Sequence, residues 1–128
     1  METIFAYFDG DNVGNRLELL LLDGRVADAC AYSESLNQAL RDALALLQGL
    51  SNVNVLVAGG DDLLASWLSG TVSRGDLEKI RQAFFDACGQ SMSVGVGRSA
   101  SGAVHCLRRA KLMGKAQIIC EPGVCDAA

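Results

Sequence analysis

Hydrophobic positions along this chain change period several times, and each change marks a new element. Ile4 to Phe8 is β-branched and aromatic and reads as a buried strand. Asp9 to Asn15 is polar and carries glycine, so a loop is expected, followed by a short helix from Arg16 to Leu22 that stops at Gly24. Val26, Ala29, Cys30, Leu36, Leu40, Ala43, Leu44 and Leu47 recur at helical spacing, which predicts one long helix over 25–50. Val53 to Ala58 and Leu63 to Leu68 are short apolar runs flanking Gly59-Gly60-Asp61-Asp62, the pattern of a tight hairpin in which both glycines supply positive φ. A helix over 73–89 has Ala83, Phe84 and Ala87 on its apolar face, and Met92 to Val96 is a strand. A third helix over 101–113 meets its stop at Gly114, and Ala116 to Cys120 is the last strand.

This order predicts an α+β fold on the split plan of a ferredoxin-like sheet. It has a β-α-β-β-α-β core plus an extra α/β unit, a mainly antiparallel sheet, and helices on one face. No linker, repeat or low-complexity stretch interrupts the 128 residues, so one domain over 1–128 is expected. The plan hosts many functions, so function has to come from the site.

The first strand runs into Phe8-Asp9-Gly10-Asp11, and the hairpin carries Asp61 and Asp62. In the split plan these segments are neighbours, so three or four carboxylates converge at one end of the sheet. Unpaired, they repel strongly, and a cation is the usual remedy. Oxygen-only ligands favour Mg2+ or Mn2+, and two such ions about 3.5–4 Å apart can activate a hydroxyl and stabilise departing pyrophosphate. Gly10 lets the backbone approach an ion or phosphate, and Gly14 does the same near a helix start, where amides can hold phosphates. Gly59 and Gly60 leave a groove where a flat base can lie. Ordinary turn chemistry accounts for an Asp-x-Asp alone, but much less readily for Gly-Gly-Asp-Asp between two apolar strands.

Arg108, Lys111 and Lys115 are spaced three and four apart and share one side if the helix persists. The lysines can hold β- and γ-phosphates as point charges, or simply answer the dipole of a helix C-terminus. His105 and Trp67 are assigned to surface or core, and Arg98 to solvent. Net charge is −4, with no basic run longer than Arg108-Arg109, so a long nucleic-acid template is not expected as partner. The five cysteines form no CxxC pair, which argues against zinc and fits reduced thiols in a cytoplasmic protein. Met1 to Phe8 lacks the cationic region of a signal peptide, and no apolar run is long enough to span a membrane. Cys125-Asp126-Ala127-Ala128 loosely fits a prenylation box, against which Asp126 and the missing polybasic stretch argue.

Phe-Asp-Gly-Asp-Asn-Val-Gly after the first strand, Gly-Gly-Asp-Asp in a hairpin, Ser-Val-Gly-Val-Gly on a later strand and Ala-Lys-x-x-Gly-Lys near the end together resemble the palm polymerase and cyclase superfamily. Diguanylate cyclases of the GGDEF type and the palm domains of type III CRISPR complexes belong to it, and the chain most resembles the minimal CRISPR polymerases, stand-alone palms of about this size. The resemblance implies that Asp9, the Gly10 carbonyl, Asp61 and Asp62 hold two divalent ions, with Asp61 and Asp62 also helping to activate the hydroxyl. It implies that Lys111 and Lys115 hold the triphosphate, and that Asp11 and Asn12 approach ribose, base or phosphate. It further implies a nucleotidyltransferase that condenses ATP or another nucleoside triphosphate into a cyclic di- or oligonucleotide. The product would be sensed by a separate effector in antiphage defence. Asp62 and Leu63 stand where diguanylate cyclases have Glu and Phe, which favours the CRISPR-type branch and adenine. Joining two nucleotides needs two facing sites, so a homodimer is expected. The rival reading is a catalytically silent palm that binds ATP and metal.

Overall fold

The structure is a computed structural model that describes residues 2–125. Met1 and residues 126–128, which the single-domain expectation and the C-terminal box include, lie outside the described residues. The elements are β1 (Thr3–Gly10), α1 (Val13–Leu22), α2 (Val26–Gly49), β2 (Asn54–Gly59), β3 (Asp62–Leu68), α3 (Arg74–Cys88), β4 (Met92–Gly97), α4 (Ala100–Leu112) and β5 (Ile118–Cys120). They form one five-stranded sheet in the order β2-β3-β1-β4-β5. Every pairing is antiparallel except that of β4 with β5. The expected α+β fold on the split plan is the one observed.

Burial alternates along β1. Ile4, Ala6 and Phe8 point into the core, while Phe5, Tyr7 and Asp9 lie on the half-exposed face. Leu63, Ala65 and Trp67 of β3 and Met92, Val94 and Val96 of β4 continue the buried face. It is covered by Leu36, Ala43 and Leu47 of α2 and by Leu77, Ile80 and Phe84 of α3. Because side chains alternate along strands, this hydrophobic pattern fixes the register, and with it the positions of the polar residues at the strand ends.

Helices on one face describes only part of the structure. The helix of the added unit, α4, covers the opposite face, where Gly95 and Gly97 leave room for it. A Cβ on Gly95 would lie 2.1 Å from the Ala103 carbonyl oxygen and 2.2 Å from the Leu107 nitrogen. Helix α1 starts at Val13, not Arg16, so the expected loop shrinks to two residues. Asn12 makes this turn possible by adopting φ 57°, a conformation Asn tolerates better than most residues. Val13, Leu17 and Leu20 can then pack against the core.

Helix α3 opens with a capping box between Ser73 and Asp76 and closes on Gly89 at φ 73°. The expectation of five reduced cysteines is corrected. The turn after β5 brings Cys125 back to Cys120, with their Cα atoms 6.0 Å apart, and the two are disulfide-bonded. Cys30, Cys88 and Cys106 are free. No helix among the described residues is long and apolar enough to cross a membrane.

Candidate active site

The carboxylates come together through strand register. Asp9, the penultimate residue of β1, lies opposite Asp62 of β3 on one side and Ser93 of β4 on the other. The hairpin turn consists of Gly60 and Asp61 alone. Gly59 is still a strand residue, paired with Asp62, and only Gly60 takes a positive φ, 61°. That corrects the expectation for Gly59 and matches a turn that needs φ > 0 only at its first central position. The Asp61 carbonyl accepts from the Gly10 amide at 3.3 Å, which ties the turn to the end of β1.

Asp9, Asp61 and Asp62 can each offer an oxygen such that all three lie within 4.8 Å of one another. Burial pushes the Asp9 carboxyl up, and the charges of Asp61 and Asp62 push the same way against Lys111. The Tyr7 hydroxyl donates to Asp62 Oδ2 at 2.7 Å. That bond, with burial and the nearby acids, pushes the Tyr7 pKa up to about 12. Sequence reasoning missed Tyr7, which stands two residues before Asp9 on the same strand face, because the run Ile4 to Phe8 is apolar throughout and does not mark its two faces.

Lys111, at the end of α4, lies on the same face of the sheet as Asp9 and reaches the end of β1. Its Nζ lies 3.2 Å from Asp9 Oδ2 and 2.6 Å from Asp11 Oδ1. It also donates to the carbonyls of Asp9 at 3.2 Å and Gly10 at 3.0 Å. A cation therefore already sits among the oxygens expected to bind metal.

Asp11 does not face a ligand. It is 1% exposed, and four donors take its two oxygens. Ser93 Oγ and Lys111 Nζ reach Oδ1 at 2.8 and 2.6 Å, and Ser91 Oγ and the Ala116 amide reach Oδ2 at 2.7 and 2.9 Å. Burial alone would raise its carboxyl, but these hydrogen bonds outweigh it and hold it below the ordinary carboxylate range. Asp11 is a buried hub that positions Lys111 and the turn after α4, not a ribose or base contact. Asn12 is exposed, and its Oδ1 accepts from Lys115 Nζ. Lys115 does not continue the helical side of Arg108 and Lys111, because α4 ends at Leu112 and Gly114 and Lys115 both take positive φ. Gly14 is exposed in the first turn of α1, with open space around its Cα.

A family model described as the minimal CRISPR polymerase domain matches residues 5–120. Among solved structures, the Csm1–Csm4 cassette matches in its complex with cA4 at TM-score 0.64 and 17% identity, covering 91% of this chain. The same cassette in complex with one ATP matches at 0.63 and 18%, again over 91%. The chain spans only 20% of those chains. The active GGEEF domain of a diguanylate cyclase from Vibrio cholerae matches at 0.62 and 16%, covering 94% of this chain and 83% of that one. At these identities the likeness is one of fold. No curated protein matches the sequence.

Proposed function

The chain belongs to the minimal CRISPR polymerase family, and on that premise we propose that it is a nucleotidyltransferase condensing nucleoside triphosphates, ATP foremost, into a cyclic di- or oligonucleotide. The observation that carries this reading is the convergence of Asp9, Asp61 and Asp62 within 4.8 Å, with Lys111 of α4 beside Asp9 on the same face of the sheet. The donor set is all oxygen, which fits Mg2+ or Mn2+. Asp9, Asp61, Asp62 and the Gly10 carbonyl would hold the ions, which when bound activate a ribose hydroxyl and neutralise charge on the leaving pyrophosphate.

The chain's own residues set up the rest. Tyr7 holds one oxygen of Asp62 through its hydroxyl and so orients that carboxylate. Lys111 and Lys115 hold the β- and γ-phosphates. Asp61, the exposed acid of the three, accepts the hydroxyl proton as the hydroxyl oxygen attacks the α-phosphorus and the bond to the β-phosphate breaks. One palm presents one such set, so two copies face each other in the working homodimer. The product serves as a second messenger in antiphage defence, read by a separate effector protein.

The test is incubation of the purified protein with all four nucleoside triphosphates and Mg2+ or Mn2+, beside an Asp61→Ala plus Asp62→Ala double variant. Mass spectrometry should find a cyclic nucleotide with wild type and none with the variant. No product, with metal-dependent ATP binding intact, would replace this reading with the silent palm. Sedimentation of active protein as a strict monomer would remove the homodimer.

A further inference from the structure

A cleft of 290 Å³ lies at the end of the sheet remote from the carboxylates and is lined by Thr3, Asn52, Asn54, Ser66, Trp67 and Leu68. We infer that it is a binding site, separate from the nucleotidyltransferase chemistry, for an uncharged polyhydroxylated ring, the chemistry of a free sugar or of the ribose of a nucleoside. Strand register assembles it. Thr3 of β1 lies opposite Leu68 of β3, and Asn54 of β2 lies opposite Ser66 of β3, so these four side chains share one face. They alternate with Ile4 and Ala65, which point into the core, so that face is the one turned away from α2 and α3. Asn52 joins from the turn before β2. Thr3 and Asp9 stand six residues apart on β1, about 20 Å from the rise of a strand, so a ligand here does not touch the carboxylate cluster.

Ser66 is 6% exposed, yet its hydroxyl has no hydrogen-bond partner among the described residues. Buried polar groups are nearly always paired, and an unpaired one calls for a reason. Among the described residues only the Tyr32 hydroxyl is both unpartnered and sealed from solvent, so the Ser66 hydroxyl opens to the cleft instead. The side chains of Thr3, Asn52 and Asn54 likewise make no hydrogen bond to the described residues. Each of these four groups can both donate and accept. An anion would call for cations and a cation for carboxylates, and no charged residue lines the cleft. Glu2, next to Thr3 in the chain, is paired with Arg98 at 3.2 Å. Hydroxyl groups on a ligand also donate and accept, so a ring bearing several of them matches this lining, while Leu68 gives its apolar face a wall. The volume lies just under the roughly 300 Å³ at which pockets begin to hold a drug-sized ligand, which suits one sugar or one nucleoside and not a chain of either.

Saturation-transfer difference NMR titrations of the full chain with D-ribose, D-glucose and adenosine test the site. Ser66→Ala and Asn54→Leu should each weaken binding by about 2- to 10-fold, the worth of one hydrogen bond. Asn54 is exposed, so its replacement leaves the core untouched. Free sugars that bind wild type and are weakened by both variants would support the site and make its ligand a sugar. The same pattern with adenosine alone would support it and make the ligand the ribose of a nucleoside. Ser66→Ala should also unfold at a Tm no lower than wild type, because it deletes a hydroxyl that the fold does not pair. Binding of none of the three, or binding that both variants leave unchanged, would overturn the inference. A lower Tm for Ser66→Ala would overturn it too, by showing that the fold itself uses the hydroxyl.

Discussion

Replacing Gly95 with alanine adds one methyl group at the most tightly apposed point of the sheet. The new Cβ would stand 2.1 Å from the carbonyl oxygen of Ala103, against about 3.4 Å for an ordinary contact, a shortfall of about 1.3 Å. It would also meet the Leu107 nitrogen at 2.2 Å and the Leu107 Cα at 2.8 Å. All three are backbone atoms of α4, so no side chain can rotate away and the helix has to lift. Lifting it uncovers Ala103, Cys106, Leu107 and Ala110, which are buried beneath it. Overpacking of this kind costs about 1–3 kcal/mol, and we expect the upper end because backbone opposes the methyl. For a domain of this size that is roughly 10 °C in Tm. The lift also carries Lys111 away from Asp9 and Asp11, and a misplacement of about 1 Å at a site can cost about 100-fold in rate. Thermal unfolding by circular dichroism, paired with product formation per folded molecule, reads both effects. A variant within about 2 °C of wild type with undiminished activity would refute the close apposition of α4 and β4.

Asp11→Asn keeps the shape of the hub but removes its charge, and an amide nitrogen cannot accept from the Ala116 N–H. The change strands Lys111 next to a neutral group and should cost about 3 kcal/mol in chemical denaturation, while a loss under about 1 kcal/mol would contradict the hub. Tyr7→Phe removes the 2.7 Å bond to Asp62. It should lower stability by about 1 kcal/mol and kcat by roughly tenfold with KM nearly unchanged, and a change confined to KM would argue against orientation of Asp62. Lys111→Met clears an ammonium from the oxygens of Asp9 and Gly10. In the absence of nucleotide it should tighten Mn2+ binding by roughly tenfold in an electron paramagnetic resonance titration, and weaker Mn2+ binding would show that lysine and metal do not compete.

The parts of the site that were readable from sequence are those that depend on strand register. Two apolar runs around Gly59-Gly60-Asp61-Asp62 defined the hairpin, and the apolar run Ile4 to Phe8 placed Asp9 at the end of the first strand. A slip of one residue would turn Asp9 inward, so the same pattern that builds the core also sets Asp9 against Asp62. The misread residues all lie where an element ends. Asp11 sits two positions past Asp9 and is expected, from the resemblance, to approach ribose, base or phosphate. Its fate is decided by Ser91, Ser93, Lys111 and Ala116, between 80 and 105 residues away, and no local spacing reports them. Lys115 fits the helical side of Lys111 by count, but the chain leaves the helix three residues earlier. The face chosen by α4 was recorded in Ser-Val-Gly-Val-Gly, yet a glycine on alternate strand positions signals a close approach without saying what approaches. Core periodicity therefore locates the metal-binding acids, whereas the placement of the cations depends on how α4 docks and ends. For that reason the carboxylate cluster follows from the sequence pattern, while the Lys111–Asp11 hub required the structure.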